Sequence, residues 1–325
     1  MRVIFAPDAL QDPQQWRHLD HILYAVEDGW HEWQVDDPDA LEASAWLSGS
    51  NRPSMRKLFE QATIRSSYPR GRLHRKVWGV SLTDSPETLA PNVAARLFTQ
   101  PLCICVENRF TDGLFLDAIL SVLAPAELKV FLDGCAAKPF RCDSGGGNGE
   151  LPKIIESRVQ EFTATGLPLR AIVFADSDAR FPGHISDDAK VIADLCEAHA
   201  LLCLILSKRA IENYIPDEVL QGWATEPPSQ AVRPLVAAIC RLTPAQRDHV
   251  PMKKKFPGQL DDSQEQALYD DIAPEDLALM QNHRLRNDLI DLLSTHRQHL
   301  TADALRNRDG KGELDRLVDM ITQSL

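Results

Sequence analysis

Three acidic residues in the middle of the chain have the types and the spacing to hold a divalent cation. Glu107 directly follows the apolar run 102–106, and Asp176 and Asp178 follow the apolar run 171–175. In an extended chain, residues two apart point to the same side. Clustered carboxylates repel one another unless a proton or a cation neutralises them, and hard oxygen ligands suit Mg²⁺. The spacing therefore predicts a site for Mg²⁺ or Mn²⁺, of the kind that activates water in phosphodiester cleavage.

Further candidates follow these acids and a later apolar run, 201–206. Asp112 and Glu212 are candidate metal ligands, Glu212 for a second ion. Lys208 and Arg209 are candidates to hold the scissile phosphate or to stabilise its developing charge. Taken singly, each has an ordinary alternative, because an Asp favours caps and turns and a charged residue often lies on a solvated helix face. The joint placement of acids after successive strands favours the metal site, with Glu107 as a ligand or as the general base that orients water.

A regular alternation of strands and helices positions these residues between 100 and 220. Continuous apolar strands separated by helices are typical of a parallel sheet that is covered on both faces. Ligands bind such sheets at the carboxyl ends of the strands, which is where the acids stand. The predicted strands are 102–106, 128–132, 171–175 and 201–206, and the predicted helices are 114–123, 152–162 and 186–199.

The flanking regions carry no motif that we can connect to a reaction. Residues 1–95 mix short strands and helices, which predicts a small α+β region, and residues 86–91 are a candidate linker. Residues 221–325 have a helical pattern that ends in an amphipathic helix over 312–325. The predicted organisation is thus an α/β domain between an N-terminal α+β region and a helical C-terminal region.

The order of the acids resembles the Toprim domain, and within it the nucleases of the OLD (overcoming lysogenization defect) type. That family has a Glu after its first strand and an Asp-x-Asp after its third, which Glu107, Asp176 and Asp178 match. The likeness covers roughly residues 101–220, with a weaker echo at 310–314, Gly-Lys-Gly-Glu-Leu. Four segments carry it: Val106-Glu107 with Asp112, Phe115 and Leu116; the Gly-rich loop 143–148; Lys208 to Pro216, which is similar to an Arg-Glu-Ile-Glu-Asn-Tyr element; and 310–314. Two features depart from the pattern, since Asn108 stands where the family has Gly and Asp112 lies one residue further from Glu107.

The resemblance implies a metal-dependent nuclease that cuts DNA in preference to RNA, as the effector of a bacterial defence system. OLD proteins also carry an ATPase, but this chain has no G-x-x-x-x-G-K-[ST] motif, so we expect an ATPase partner in trans. A nucleotidyl transferase or strand-passage enzyme fits less well, because no nucleophilic Tyr on a DNA-binding module and no template-binding module is evident. The alternative from another class is a non-catalytic Toprim-fold interaction subunit of a DNA-processing ATPase complex.

Composition limits where and how the chain would act. The net charge of −12 argues against a uniformly basic nucleic-acid binder, yet two basic clusters are candidate phosphate-backbone contacts. The seven Cys show no CxxC spacing and read as buried residues of a reducing compartment, so we expect a cytoplasmic protein. No apolar run is long enough to span a membrane, and self-association is left open. The basic clusters are Lys253-Lys254-Lys255 and Arg70, Arg72, Arg75 and Lys76.

Overall fold

Two parallel four-stranded sheets organise the chain in the computed structural model. The structure describes residues 1–49, 53–67, 77–145, 148–167, 169–226 and 229–325. The strand orders are β2-β1-β3-β4 in the N-terminal sheet and β6-β5-β7-β8 in the second sheet, and every pairing is parallel. The predicted α/β class, with a helical C-terminal region, is confirmed. Within the described residues no helix is long and apolar enough to cross a membrane.

The N-terminal region is built on its own parallel sheet. Trp33 and Trp46 are buried there, with ring centroids 5.9 Å apart. The linker predicted at 86–91 is wrong, because strand β4 lies inside it and the N–H of Gly79 donates to the carbonyl of Glu87. The strands are β1 Arg2–Phe5, β2 Glu32–Trp33, β3 Val77–Val80 and β4 Thr88–Leu89, and the helices are α1 Pro7–Gln11, α2 Trp16–Glu27, α3 Pro38–Glu42, α4 Ala45–Ser48, α5 Pro53–Ser66 and α6 Pro91–Phe98.

The second sheet positions the predicted site. Three of its strands lie where the apolar runs predict them. The strand predicted at 128–132 is wrong, because these residues form part of helix α8, whose Leu128, Phe131 and Leu132 have the i, i+3, i+4 spacing of a helix face. The strands are β5 Leu102–Val106, β6 Phe140–Ser144, β7 Ala171–Ala175 and β8 Leu202–Ile205, and the helices are α7 Thr111–Leu123, α8 Ala126–Gly134, α9 Leu151–Thr165 and α10 Asp187–Ala198.

Alternate residues of the central strands face two different cores, as the pleat of a strand requires. On one face, Cys105 and Val173 pack with residues of α9 and α10. On the other face, Ile104 and Phe174 pack against α7 and the C-terminal helices, and the ring of Phe174 stacks 5.9 Å from Phe115. The sheet is thus covered on both faces, which leaves its carboxyl edge as the open place for a ligand.

The C-terminal region is helical, as predicted, and shares one core with the second sheet. Its last helix, α18, buries Leu314, Leu317 and Ile321, and full burial of one such side chain stabilises a fold by about 1.5–3 kcal/mol. The helices are α11 Asp217–Thr225, α12 Arg233–Arg241, α13 Pro244–His249, α14 Ser263–Tyr269, α15 Pro274–Asn282, α16 Leu292–Thr295, α17 Ala302–Asp309 and α18 Glu313–Ser324. Short 3-10 turns lie at Asn148–Glu150, Ile211–Tyr214, Ser229–Val232, Leu289–Asp291 and Arg297–His299.

Candidate active site

Glu107 and Asp176 meet at the carboxyl edge of the second sheet. Strands β5 and β7 are paired in parallel, so the residues that follow them stand side by side. The backbone N–H of Asp176 donates to Oε1 of Glu107 at 2.9 Å, and Oδ1 of Asp176 accepts from the N–H of Ile211 at 2.9 Å. One chain of hydrogen bonds therefore joins the ends of two strands to the turn 211–214.

Asp112 enters from the first turn of α7. Its carboxylate accepts from the N–H of Asn108 at 3.0 Å and from the hydroxyl of Thr111 at 3.1 Å. The amide oxygen of Asn108 in turn accepts from the N–H of Phe110 at 3.0 Å, the local turn that an Asn side chain favours. A carboxylate in the first turn of a helix is stabilised by the helix dipole. The side chain of Asn108, which stands where the resemblance expects Gly, thus closes the local turn that precedes α7.

Glu212 is buried in the turn 211–214, next to a lysine from the C-terminal region. Its Oε1 atom lies 2.7 Å from Nζ of Lys253. Its Oε2 atom is buried and has no hydrogen-bond partner among the described residues. A buried carboxylate oxygen without a partner is costly, and a cation would supply the missing interaction.

Asp178 departs from the geometry that its spacing predicts. Strand β7 ends at Ala175, and Asp178 has φ of +50°, so the rule for extended chain does not apply to it. This left-handed conformation is uncommon for residues other than Gly, but Asp tolerates it more readily than most. Its N–H donates to the carbonyl of Arg209 at 3.0 Å, and its side chain is exposed. The turn therefore connects Asp178 to the residues after β8.

The acids perturb one another strongly. Burial, with the charges of Asp112 and Asp178, raises the pKa of Glu107 to about 8, against the hydrogen bond from Asp176 and the charge of Lys253. Burial first, and then Glu107 and Glu212, raise the pKa of Asp176 well above its ordinary value. Burial also raises the pKa of Asp112, with a contribution from Glu212. Such mutual repulsion at a cleft edge is typical of functional sites.

Carboxylates are suitable ligands for a divalent cation, but these acids are not arranged to supply three ligands to one ion. In the part of the chain that the structure describes, no three Asp, Glu, His or Cys side chains are placed to hold one ion. The expectation that Glu107, Asp176 and Asp178 lie within reach of one ion is therefore not met by these side-chain positions. Mg²⁺ commonly takes one or two carboxylates and completes its shell with water and substrate phosphate. The unpartnered oxygen of Glu212 and the adjacent Asp176 fit that less demanding arrangement.

Lys208 does not reach the acids, which corrects its predicted role at the phosphate. Its side chain is 3% exposed, with Nζ 2.6 Å from Oδ1 of Asp248 and 5.2 Å from the ring centroid of Tyr214. Lys208 therefore belongs to a buried ion pair. Arg209, in contrast, is half-buried, with one guanidinium N–H on the carbonyl of His249 at 3.2 Å.

A buried polar network fixes the segment 207–214 to the start of α18. The Glu313 carboxylate accepts from the N–H of Ser207 at 3.1 Å and from the Ser207 hydroxyl at 2.7 Å. The hydroxyl of Tyr214 also donates to Glu313. Arg308 adds an ion pair of 2.6 Å with Asp248. No spacing in the sequence predicts these supports, although Glu313 lies in the segment 310–314 that carries part of the resemblance.

Comparison with family models, with curated proteins and with solved structures gave no match to this chain. The Toprim resemblance therefore stands on the acids, their order and the parallel sheet, and family membership stays a prediction. The basic cluster of Arg70, Arg72, Arg75 and Lys76 lies outside the described residues.

Proposed function

We propose that the chain is a metal-dependent phosphodiester hydrolase, a nuclease that uses Mg²⁺ or Mn²⁺ and cuts DNA in preference to RNA. The observation that carries the proposal is the hydrogen bond from Asp176 to Glu107, which gathers acids from two strand ends where they raise each other's pKa values. A structural ion pair would place a base beside each buried acid. Here Lys253 pairs with Glu212, whereas Glu107 and Asp176 accept hydrogen bonds from backbone N–H groups.

The residues divide into groups that hold the ion and groups that act on the substrate. Asp176 and Glu212 would hold the ion, and Asp112 and Asp178 would add negative charge around it. When bound, the ion supplies a Lewis acid for the phosphoryl oxygen and lowers the pKa of water. Glu107, whose pKa is raised in the metal-free protein, would accept the proton of the attacking water, because a cation bound beside it would favour its carboxylate form.

Lys253 takes the role that the sequence suggested for Lys208. Although burial opposes it, the charges of Glu212, Asp176 and Asp112 raise the pKa of Lys253, so its ammonium stays charged among the acids. A preorganised cation beside the reacting phosphate stabilises the charge that develops in the transition state. Arg209 stays a candidate phosphate contact.

The biological setting follows from the resemblance alone. We propose a cytoplasmic effector of bacterial defence, activated or restrained by an ATPase that another chain supplies. An acidic protein of net charge −12 gains little non-specific affinity for nucleic acid from charge, and an ATPase that clamps DNA would bring the substrate to it.

The second candidate is a non-catalytic interaction subunit of such an ATPase complex. The observation that favours it is the absence, within the described residues, of three side chains placed to hold one ion. The acids would then have no role in catalysis, and neutral replacements of them should leave complex formation intact.

Incubation of the chain with supercoiled plasmid, alone and co-purified with the product of a neighbouring ATPase gene, separates the two functions. A nuclease should convert plasmid to open-circular and linear forms in Mg²⁺ or Mn²⁺ and stop in EDTA. Complex formation without any divalent-dependent cleavage would support the interaction subunit instead.

A further inference from the structure

A basic cavity lies against the acidic site. It has a volume of about 260 Å³ and opens to solvent. Four cations line it, against two carboxylates, so its walls carry a net charge of +2 in a protein whose net charge is −12. The four cations are Arg180, Arg209, Lys254 and Lys255, and the two carboxylates are Asp261 and Glu265. We call this the basic pocket.

The basic pocket and the acids are built from the same three segments of chain. The loop after β7 supplies Asp176 and Asp178 to the acids and Arg180 to the pocket. The residues after β8 supply Glu212 to the acids and Arg209 to the pocket. The bond from the Asp178 N–H to the Arg209 carbonyl ties two of these segments together at 3.0 Å. Acid site and pocket are therefore immediate neighbours.

The third shared segment divides three consecutive lysines between the two sites. Lys253 turns inward and pairs with Glu212 at 2.7 Å, whereas Lys254 and Lys255 are exposed and line the pocket. The carboxylate of Glu265 already engages Arg180, at 3.3 Å. Arg209 and the two exposed lysines are thus the cations that remain for an incoming anion.

We propose that the basic pocket binds a backbone phosphate of the nucleic acid, adjacent to the phosphate that lies at the acids. The inference rests on the proposed function, because it assumes that the polymer cleaved at the acids continues into the pocket. Arg and Lys side chains are the common phosphate ligands of nucleic-acid-binding proteins, and each phosphate neutralised releases counterions. The pocket would set the register of the strand and offset the repulsion that the acids exert on the polyanion.

The test measures binding rather than cleavage. A fluorescein-labelled DNA duplex is titrated in EDTA, which stops hydrolysis, with the protein together with any ATPase partner that co-purifies with it. Fluorescence anisotropy is followed from 50 to 200 mM salt. The pocket variant is Lys254→Glu with Lys255→Glu. The matched control is Lys153→Glu with Lys190→Glu, which makes the same change of −4 in net charge on α9 and α10, the helices that cover one face of the sheet.

The pocket variant should bind DNA about tenfold more weakly than the wild type, and the slope of log K against log salt should fall by about 1, as expected for the loss of one phosphate contact. The control should change affinity much less. Equal losses in both variants, wild-type binding by the pocket variant, or no DNA binding by the wild type would each overturn the inference. The inference would also be overturned if the same concentration of inorganic phosphate displaced DNA from the pocket variant and from the wild type.

A third variant separates this outcome from the proposed function. Glu107→Gln should retain DNA binding at the pocket while it loses cleavage. DNA binding that depends on the pocket in a protein that never cleaves would contradict the nuclease proposal and leave the pocket standing. If the pocket variant still cleaves DNA and binds it as tightly as the wild type does, the pocket inference is contradicted and the nuclease proposal stands.

Discussion

Lys253 places its ammonium 2.7 Å from the Oε1 atom of Glu212, and this contact brings the C-terminal region into the acidic site. Glu212 follows the last strand of the second sheet, whereas Lys253 stands between α13 and α14. The pair leaves the second oxygen of Glu212 without a hydrogen-bond partner in the described structure. The site is therefore a shared product of the sheet and of the helices that cover it.

Divalent ions should stabilise the folded protein through these acids. A ligand at one hundred times its dissociation constant stabilises the native state by about 2.7 kcal/mol, which corresponds to a rise of about 5 °C in Tm for a chain of this size. Mg²⁺ or Mn²⁺ should raise the Tm of the wild type in differential scanning fluorimetry. The rise should shrink for Asp176→Asn and persist for Asp187→Asn, an exposed acid on α10. Equal rises in both variants would place the ion elsewhere.

Without metal, the protein should lose stability as pH rises from about 5 to 8. The pKa of Glu107 is raised from 4.5 in its ordinary state to about 8 in the fold. A raised pKa means that the fold favours the protonated form, so this stabilisation is present below pH 4.5 and is lost as pH rises toward 8. Tm measured in EDTA should fall over this window, and Glu107→Gln should flatten the fall. A Tm that rises across the same window in EDTA, unchanged by the variant, would refute the assignment.

Replacement of Lys208 and replacement of Lys253 should have different effects on stability and on the cleavage rate. Lys208→Met removes one partner of a buried ion pair, and its Tm should drop while the folded fraction keeps its cleavage rate. The loss should be smaller than the cost of about 3–5 kcal/mol for a buried charge left uncompensated, because Arg308 still pairs with Asp248. Lys253→Met frees Glu212 for the ion, so Mg²⁺ should stabilise this variant more than the wild type. Its cleavage rate should fall by about 10²-fold, because a preorganised charge at the phosphate is lost. Similar losses of stability and of cleavage rate in both variants would contradict the separate roles given to the two lysines.

The contact between Glu313 and the segment 207–214 should be a structural support for the site. Glu313→Ala leaves the half-buried N–H and hydroxyl of Ser207 and the buried hydroxyl of Tyr214 without this acceptor. Such a loss costs about 1–3 kcal/mol for each unsatisfied group, and urea denaturation should show it. Asp315→Ala is the control, because its pair with Arg306 is exposed and should contribute less than about 1 kcal/mol. Equal midpoints for the two variants would show that the network is not needed.

The parts of the fold that sequence could predict are those with a continuous apolar signal. Strands β5 and β7 lie on the predicted runs because both are fully buried between two helical layers and need no polar alternation. Strand β8 lies at the sheet edge and is only partly buried, but its residues still form a continuous apolar run. Strand β6 at the sheet edge carries Arg141 and Asp143, so it has no apolar run and was missed. The apolar run at 128–132, which lies in helix α8, predicts a strand in its place, because a short apolar run is compatible with either structure.

For the candidate site, the sequence predicts the acids at the strand ends, but it assigns the cation beside them to Lys208 and treats Lys253 only as a phosphate-backbone contact. Glu107 and Asp176 follow from strand ends, which the pattern locates within a residue. Whether Lys208 or Lys253 reaches the acids depends on how the C-terminal region packs, and Asp248 captures Lys208 from forty residues away. Asp178 adopts a left-handed conformation in which its N–H donates to the Arg209 carbonyl. Such choices are made by tertiary contacts, which spacing along the chain does not encode.

The rate of Mg²⁺-dependent plasmid cleavage by Glu107→Gln, compared with the wild type and with Asp187→Asn, tests the proposed chemistry most directly. The substitution keeps the size of the side chain and an oxygen for the Asp176 N–H, but it removes the proton acceptor. We expect the rate to fall by about 10²–10⁴-fold, with a Tm at or above that of the wild type and no change for Asp187→Asn. A wild-type rate in Glu107→Gln, measured with whatever partner the wild type requires, would contradict the role of this carboxylate.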